Sequence, residues 1–483
     1  MHSLADTLWT LVRWTVPVTV AAVVAAGAIG SSRVGEEIRG RVEARLAEEF
    51  PTLNVQVQGA SLVQGEGIVV RGVSLVDPKM PQQWRQLLWI DELRLACTTD
   101  LTELAAGPPR ITAVQVRRPV VHAVRSADGT WNLARLWRQR SPGGLVPVSI
   151  EDATLLVDDN CRRMRATLRQ FACDVQPAVA DSEGEVWATV RGSFAGDLFE
   201  RAGFQGRFAP ASGGFEFTGD VESLDLSPRL AALLAEAEGH ADAEEAKDWL
   251  TGLRGRCHLA WQAAGSTQSL HEAAFVVSGR LESGRFQHGA IPFSLTDVAA
   301  AFRADRSGLL VESLEAHSGA TLLRGSGRLA GWRRDADFDL LLDAERLTVS
   351  RQWEAHLPER YAAQWRKLLP AGEVDVRAQL VRRNGKIDPQ VSVRCRNASI
   401  THYRFPYRLD RTVGTVVLDS GTLSIHLTGQ AGGYPVHVRG TFQTGASTGF
   451  LEVRGDGMRI DEPLLAAMPP RSAAILRALH AAG

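Results

Sequence analysis

The sequence predicts a mainly β protein of antiparallel strands, with short helices between repeat units and an apolar segment in front. Three observations predict it. Strand-length segments alternate apolar with polar residues, as where Val374, Val376, Ala378 and Leu380 interleave with Glu373, Asp375, Arg377 and Gln379. A unit of helix followed by strand recurs three times along the chain. At 483 residues the chain exceeds one ordinary core, yet no Gly/Ser-rich or Pro-rich linker divides it, which fits an elongated body.

The repeat is clearest from Leu347 to Leu380. Trp353, Leu357, Tyr361, Trp365 and Leu369 recur every fourth residue, the spacing of one helix side, and Pro370-Ala-Gly372 ends the helix before the alternating strand. An earlier copy runs from Leu224 to Leu234, then an acidic insertion, then Trp249 to Gly255 and the strand Arg256 to Trp261. A later copy starts at Met458 and runs to Gly483. Helical interruptions are therefore expected near 224–254, 347–371 and 458–483.

In chain order, Trp14 to Gly30 carries no charge, and only Arg13 separates it from the apolar residues Leu8 to Val12. A membrane span takes about 20 residues, whereas a signal-peptide core is shorter and ends in small residues like those from Ala25 to Ser32. Both readings fit, and the length of the run favours a retained anchor over residues 1–32. Val34, Ile38, Val42, Leu46 and Phe50 then predict an amphipathic helix, stopped by Pro51 and packed on the first strands. Strands follow at Leu53 to Val57 and Gly67 to Val76, with a turn at Asp77-Pro78. From Leu87 to Leu136 the pattern reads strand, short helix, strand, a tight turn at Asp128-Gly129, and a short helix with Trp131, Leu133 and Leu136; Asn132 reads as a cap or turn partner. Beyond Pro142-Gly-Gly144 strands and turns are nearly continuous, broken by the Ala/Glu-rich stretch from Ala235 to Lys247, read as a solvent-exposed helical extension.

Composition excludes several functions. A net charge of −1 gives no electrostatic footprint for nucleic acid. The five cysteines show no C-x-x-C spacing, against zinc-ribbon and thioredoxin-like sites; an oxidising compartment would allow Cys161 and Cys173 to pair across a hairpin, but a free buried thiol is the expected state for most of the five. The string Gly445-Ala-Ser447-Thr-Gly449 matches a nucleophile elbow, but strands flank it on both sides and it reads as a hairpin turn. Gly325-Ser-Gly327 lacks the third glycine and the helix of a dinucleotide site. His271-Glu272 has no second histidine four positions after the first, and His402, His426 and His437 stand singly in strands. No catalytic, metal or cofactor residue is assigned, and no enzyme is expected.

The segments Gly72 to Asp77 (G-V-S-L-V-D) and Arg118 to Leu136 (R-P-V-V-H-A-V-R-S-A-D-G-T-W-N-L-A-R-L), behind the apolar N-terminus, resemble the AsmA-like family of envelope proteins. The resemblance covers most of the chain and implies an N-terminal module over 33–140 and a repeated β-groove region over 141–483. It implies a single-pass inner-membrane protein with its bulk in the periplasm. It further implies a curled sheet whose groove takes phospholipid or another acyl lipid, for lipid transport or envelope maintenance. The chain ends earlier than long members of that family.

The residues themselves supply an apolar face on each strand. Val374, Val376 and Leu380, then Val391 and Val393, Leu423, Ile425 and Leu427, Val436 and Val438, and Leu451 and Val453 are the candidate groove residues. Two arrangements bury such faces: a curled sheet that leaves an apolar trough, or a sandwich of two sheets. The competing function is a structural or assembly scaffold for envelope protein partners, and a third class is a hydrolase using Ser447. Because Gly255 and Gly372 are each followed by a strand, the last unit is expected to be completed by further sequence or by a partner strand.

Overall fold

The structure, a computed structural model, describes residues 31–97, 111–126, 130–133, 146–161, 164–177, 185–209, 212–231, 251–269, 272–289, 291–333, 335–357, 359–403, 405–443 and 448–479. The expected anchor, the Asp128-Gly129 turn, the Ala/Glu-rich extension, Ser447 and Gly483 lie outside the described residues. Among the described residues no helix is long and apolar enough to cross a membrane. Hydrogen bonding joins 21 strands in one open, mostly antiparallel sheet. Two compact units divide the chain, Met1–Leu224 with His258–Val277, and Asp225–Cys257 with Ser278–Gly483.

The first unit begins with α1 (Ser31–Glu49), followed by β1 (Asn54–Val63), β2 (Gly67–Val76), β3 (Gln86–Cys97) and β4 (Ile111–Arg125). β5 (Val148–Asp159), β6 (Met164–Pro177), β7 (Ala188–Gly196) and β8 (Arg201–Phe208) follow. The four-residue spacing on α1 buries Ile38, Val42 and Leu46 against the sheet, with Phe50 just past the helix. Gly35 allows the close approach, since a Cβ there would stand 2.9 Å from the Ala60 carbonyl oxygen. Ion pairs of Arg39 with Glu36 and Glu43, one turn apart, line the solvent side. Val70, Leu75, Ile90, Leu95 and Val114 continue the core into the strands.

One pairing departs from the antiparallel expectation: β4 and β5 run parallel, from Val114 opposite Val148 to Arg125 opposite Asp159. A parallel pair needs a crossover of a dozen or more residues, and 126–147 supplies it. Inside that crossover Asn132 works as a strand would. The β3–β4 ladder ends at Leu88 opposite Val121, and beyond it buried Asn132 donates from Nδ2 to the His122 carbonyl and accepts at Oδ1 from the Val124 amide, each at 2.8 Å. The backbone of Ser126 and Thr130 closes the turn at 2.9 Å.

Pro119 sits in the middle of β4 between two partner strands, where a missing N–H would break a ladder. The β5 pairing passes over it, from Arg117 opposite Glu151 to Val120 opposite Thr154. Arg118 takes a left-handed φ of 47° beside it, and the β5 and β6 residues Asp152 and Gln170 do the same at 53° and 52°, these two at register shifts in the β5–β6 and β6–β7 ladders.

β9 (Gly214–Leu226), β10 (Leu253–Ser266) and β11 (Ala274–Phe286) contribute residues to both units. The second unit continues with β12 (Leu295–Asp305), β13 (Gly308–Ser318), β14 (Thr321–Ala330), β15 (Asp337–Val349), α2 (Glu359–Leu368) and β16 (Ala371–Arg383). β17 (Lys386–His402), β18 (Phe405–Asp419), β19 (Thr422–Ala431), β20 (Tyr434–Gln443) and β21 (Thr448–Gly455) complete the ladder, before α3 (Glu462–Ala467) and α4 (Pro470–Ala478). The predicted helix before Gly372 is a 3-10 turn, Arg351–His356, followed by α2. Gly255 and Gly372 share a positive φ, 155° and 117°, and at Gly372 a Cβ would collide with the Asn397 carbonyl. Asp461 caps α3 by accepting from the Leu464 amide at 2.9 Å.

Cys161 and Cys173 do not pair. Cys161 is exposed in the β5–β6 turn and donates from Sγ to the Ser126 carbonyl, whereas Cys173 is buried opposite Ile150 far along β6, and both are free thiols.

Candidate functional site

Register decides which side chains share a face, because successive strand residues point to opposite sides. In the second unit Leu323, Ala344, Val376, Val393, Val416 and Ile425 are successive partners from β14 to β19, and the row ends through Gly440 at Leu451 on β21. A neighbouring row joins Leu347, Val374, Cys395, Gly414, Leu427 and Val438, ending at Val453. On the other side Leu342, Ala378, Val391, Leu418, Leu423 and Phe442 form a third. Leu380 lies opposite Leu340 and Pro389, and Val436 opposite Gly429 and Gly455. All twelve residues named from the sequence thus lie on one face, in adjoining rows about 7 Å apart along the strands.

Their surroundings differ along the face. Val374 and Leu427 are buried in a cluster with Ala344, Leu347, Cys395 and Ala398, against which Phe293 and Trp353 pack; Trp353 in turn stacks on Trp365 of α2. Val376, Val393, Ile425 and Val438 are half-buried at the edge of that cluster, and Leu380, Val391 and Leu423 are half-buried beyond it. Val436 belongs to a separate cluster with Leu409 and Ala431. Leu451 and Val453 are 53% and 58% exposed, at the rim.

Among the described residues the strands contact chiefly their ladder neighbours, and helices rest on the sheet chiefly as α1 on β1, α2 on β17 and α3 on β18. Among the described residues of the second unit, no second sheet lies over the apolar face, which is the open-sheet and not the sandwich arrangement. From β12 to β21 each antiparallel hairpin adds its strand beside the last.

The opposite face is ionic. Glu315, Arg324, Asp343 and Arg377 are successive cross-strand partners from β13 to β16, with Arg377 Nε donating to Asp343 at 3.0 Å. Asp375 accepts from Arg396 at 2.7 Å and from the Arg346 amide at 3.0 Å. Burial raises its pKa, but these hydrogen bonds outweigh that, so it lies below the ordinary aspartate value. Arg346 has a φ of 57° at a register shift in β15, where the Thr321 hydroxyl donates to its carbonyl at 3.0 Å.

The first unit has its own apolar face on β6 to β9. Phe171, Phe194, Phe204 and Phe217 contact one another with ring centroids 6.0–6.4 Å apart. Glycines make room for these rings: a Cβ at Gly192 would collide with Phe204, and one at Gly219 would stand 2.6 Å from the Trp261 indole.

Two clefts open on the ionic faces. One of about 1020 Å³ in the first unit is bordered by Asp174, Arg191, Gln205 and Thr218, successive partners across β6 to β9. Another of about 820 Å³ in the second unit is bordered by Arg280, Glu282, Glu315, Arg324 and Asp343.

Among the described residues no group of histidine, cysteine or acidic side chains is arranged to hold a metal ion. His437 Nδ1 lies 3.2 Å from the Thr428 hydroxyl, and His426 is exposed opposite Arg439. Sequence reasoning missed Leu340, Leu342, Val416, Leu418 and Phe442, which fill gaps between the named residues. For β15 the signal was obscured, because three consecutive leucines, Leu340 to Leu342, hide the alternation. No family model, curated protein or solved structure matches the chain.

Proposed function

We propose that the apolar face of β13 to β21 holds lipid acyl chains, in a non-catalytic, AsmA-like protein. It is anchored in the inner membrane through the segment around Trp14 to Gly30, has its bulk in the periplasm, and acts in lipid transport or envelope maintenance. The observation that carries the reading is that the apolar rows continue past the patch packed by Phe293 and Trp353, where Leu380, Val391 and Leu423 are half-buried and Leu451 and Val453 exposed, with no second sheet over them among the described residues. A contiguous apolar surface beyond a few hundred Å² in water is unfavourable unless something covers it, and acyl chains cover it without needing fixed polar partners. The ionic ladder on the reverse face keeps that side solvated, so a lipid meets one side of the sheet.

The test is face-specific. Val393→Asp and Leu423→Asp should abolish binding of a fluorescent fatty acid to the full chain, while Arg394→Asp and Ser424→Asp, on the other face of the same strands, should leave it within about twofold. Circular dichroism checks that each variant is folded. Equal loss from both faces, or no saturable binding by the wild type, would overturn the reading.

A further inference from the structure

β21 is the strand at which the second unit's ladder stops. Among the described residues it pairs with β20 alone, from Val436 opposite Gly455 to Gln443 opposite Thr448, and all eight of its residues are exposed. Such an edge offers a row of unpaired backbone groups to another strand. Neither a proline nor a lysine blunts it, and the apolar rows run out to it at Leu451 and Val453.

Charge selects what it accepts. On the polar face opposite charges stand side by side across strands, from Glu315 through Arg324 and Asp343 to Arg377, at Asp375 and Arg394, and on the last hairpin at Arg439 and Glu452. Continuing that alternation requires a cation beside Glu452. β21 itself carries one two residues on, Arg454. If two copies of β21 pair antiparallel about Val453, Glu452 of each copy faces Arg454 of the other, twice over, and Val453 meets its equivalent on the apolar face. Pairing about Glu452 would set like charges together, and pairing about Leu451 would place Glu452 opposite Phe450.

We propose that β21 pairs with β21 of a second copy of this chain, antiparallel and centred on Val453, so that the ionic ladder and the apolar row pass through the dyad. This does not rest on the lipid reading, and its test involves no lipid.

The full chain, purified in a mild detergent, should show a concentration-dependent dimer by light scattering. Glu452→Arg alone and Arg454→Glu alone should each weaken dimerisation at least tenfold, and the double swap should restore it, since it exchanges the charges and keeps the complement. In a Cys161→Ser background, Val453→Cys should form an intermolecular disulfide under mild oxidation, because directly opposed strand residues stand about 4.5–5.5 Å apart at Cα, within disulfide range. Phe450→Cys should not. The altered side chains are exposed, so the variants should fold, and circular dichroism verifies it. A chain that stays monomeric at all concentrations would leave the edge to a strand of another protein and overturn the proposal. A double swap that fails to restore dimers would do the same.

Discussion

At Asn132 a single side-chain amide replaces a missing strand. It meets the donor and acceptor of β4 that β3 leaves open past Val121, so truncating it leaves two buried backbone groups without partners. Asn132→Ala should cost about 1–3 kcal/mol in denaturant titration. Asn132→Asp should cost no less, because a carboxylate cannot donate to the His122 carbonyl. The sequence placed Asn132 correctly as a turn partner; the identity of its partners depends on where the β3 ladder stops, which no local pattern records. Cysteine chemistry also belongs to this scale. Burial pushes the Cys173 thiol up to about 12 and raises those of Cys97, Cys257 and Cys395, so these remain protonated and unreactive at neutral pH. Iodoacetamide should label Cys161 in the folded protein and the other four only after denaturation, read by peptide mass spectrometry; native labelling of Cys173 would contradict the burial.

Among the elements, cross-strand ladders and bulges set what each strand contributes. Arg71, Glu92, Arg117 and Glu151 are successive partners across β2 to β5. Hydrogen bonds from Arg94 and Arg117 lower the Glu92 pKa, and those from Arg117 and Gln115 lower that of Glu151. Both folded values therefore lie below the unfolded carboxylate value of about 4.3, so the ladder's stabilisation is complete above that pH and is lost as the pH falls through the folded values. Arg117→Gln should accordingly lower the thermal midpoint at pH 7 and have little effect at about pH 2, in melts followed by circular dichroism. Gly255 and Gly372, the glycines that mark where the strand begins in two of the sequence units, both take a positive φ. The parallel β4–β5 pair was not readable, since alternation shows which residues share a face and carries no information on strand direction. Left-handed Arg118, and Asp152, Gln170 and Arg346 at their register shifts, were equally hidden, being non-glycine residues held in the left-handed region by their neighbours.

At the scale of the whole molecule, the decisive fact is a mainly β chain whose second unit carries an apolar face with, among the described residues, no second sheet upon it. The face itself was legible: alternation at Val374, Val391, Leu423 and Val436 named residues that the register then brought into adjoining rows. Whether another sheet covered them was not legible, because a sandwich and an open sheet share the same strand pattern. That question bears directly on function, since an uncovered face calls for a ligand and a covered one does not. The most direct measurement is native mass spectrometry of the full chain released from detergent. The account predicts co-purified phospholipid, or another lipid bearing acyl chains, at defined stoichiometry on the wild type, and its loss on Leu423→Asp. Wild-type protein consistently free of lipid, or lipid held equally by the wild type and Leu423→Asp, would contradict it.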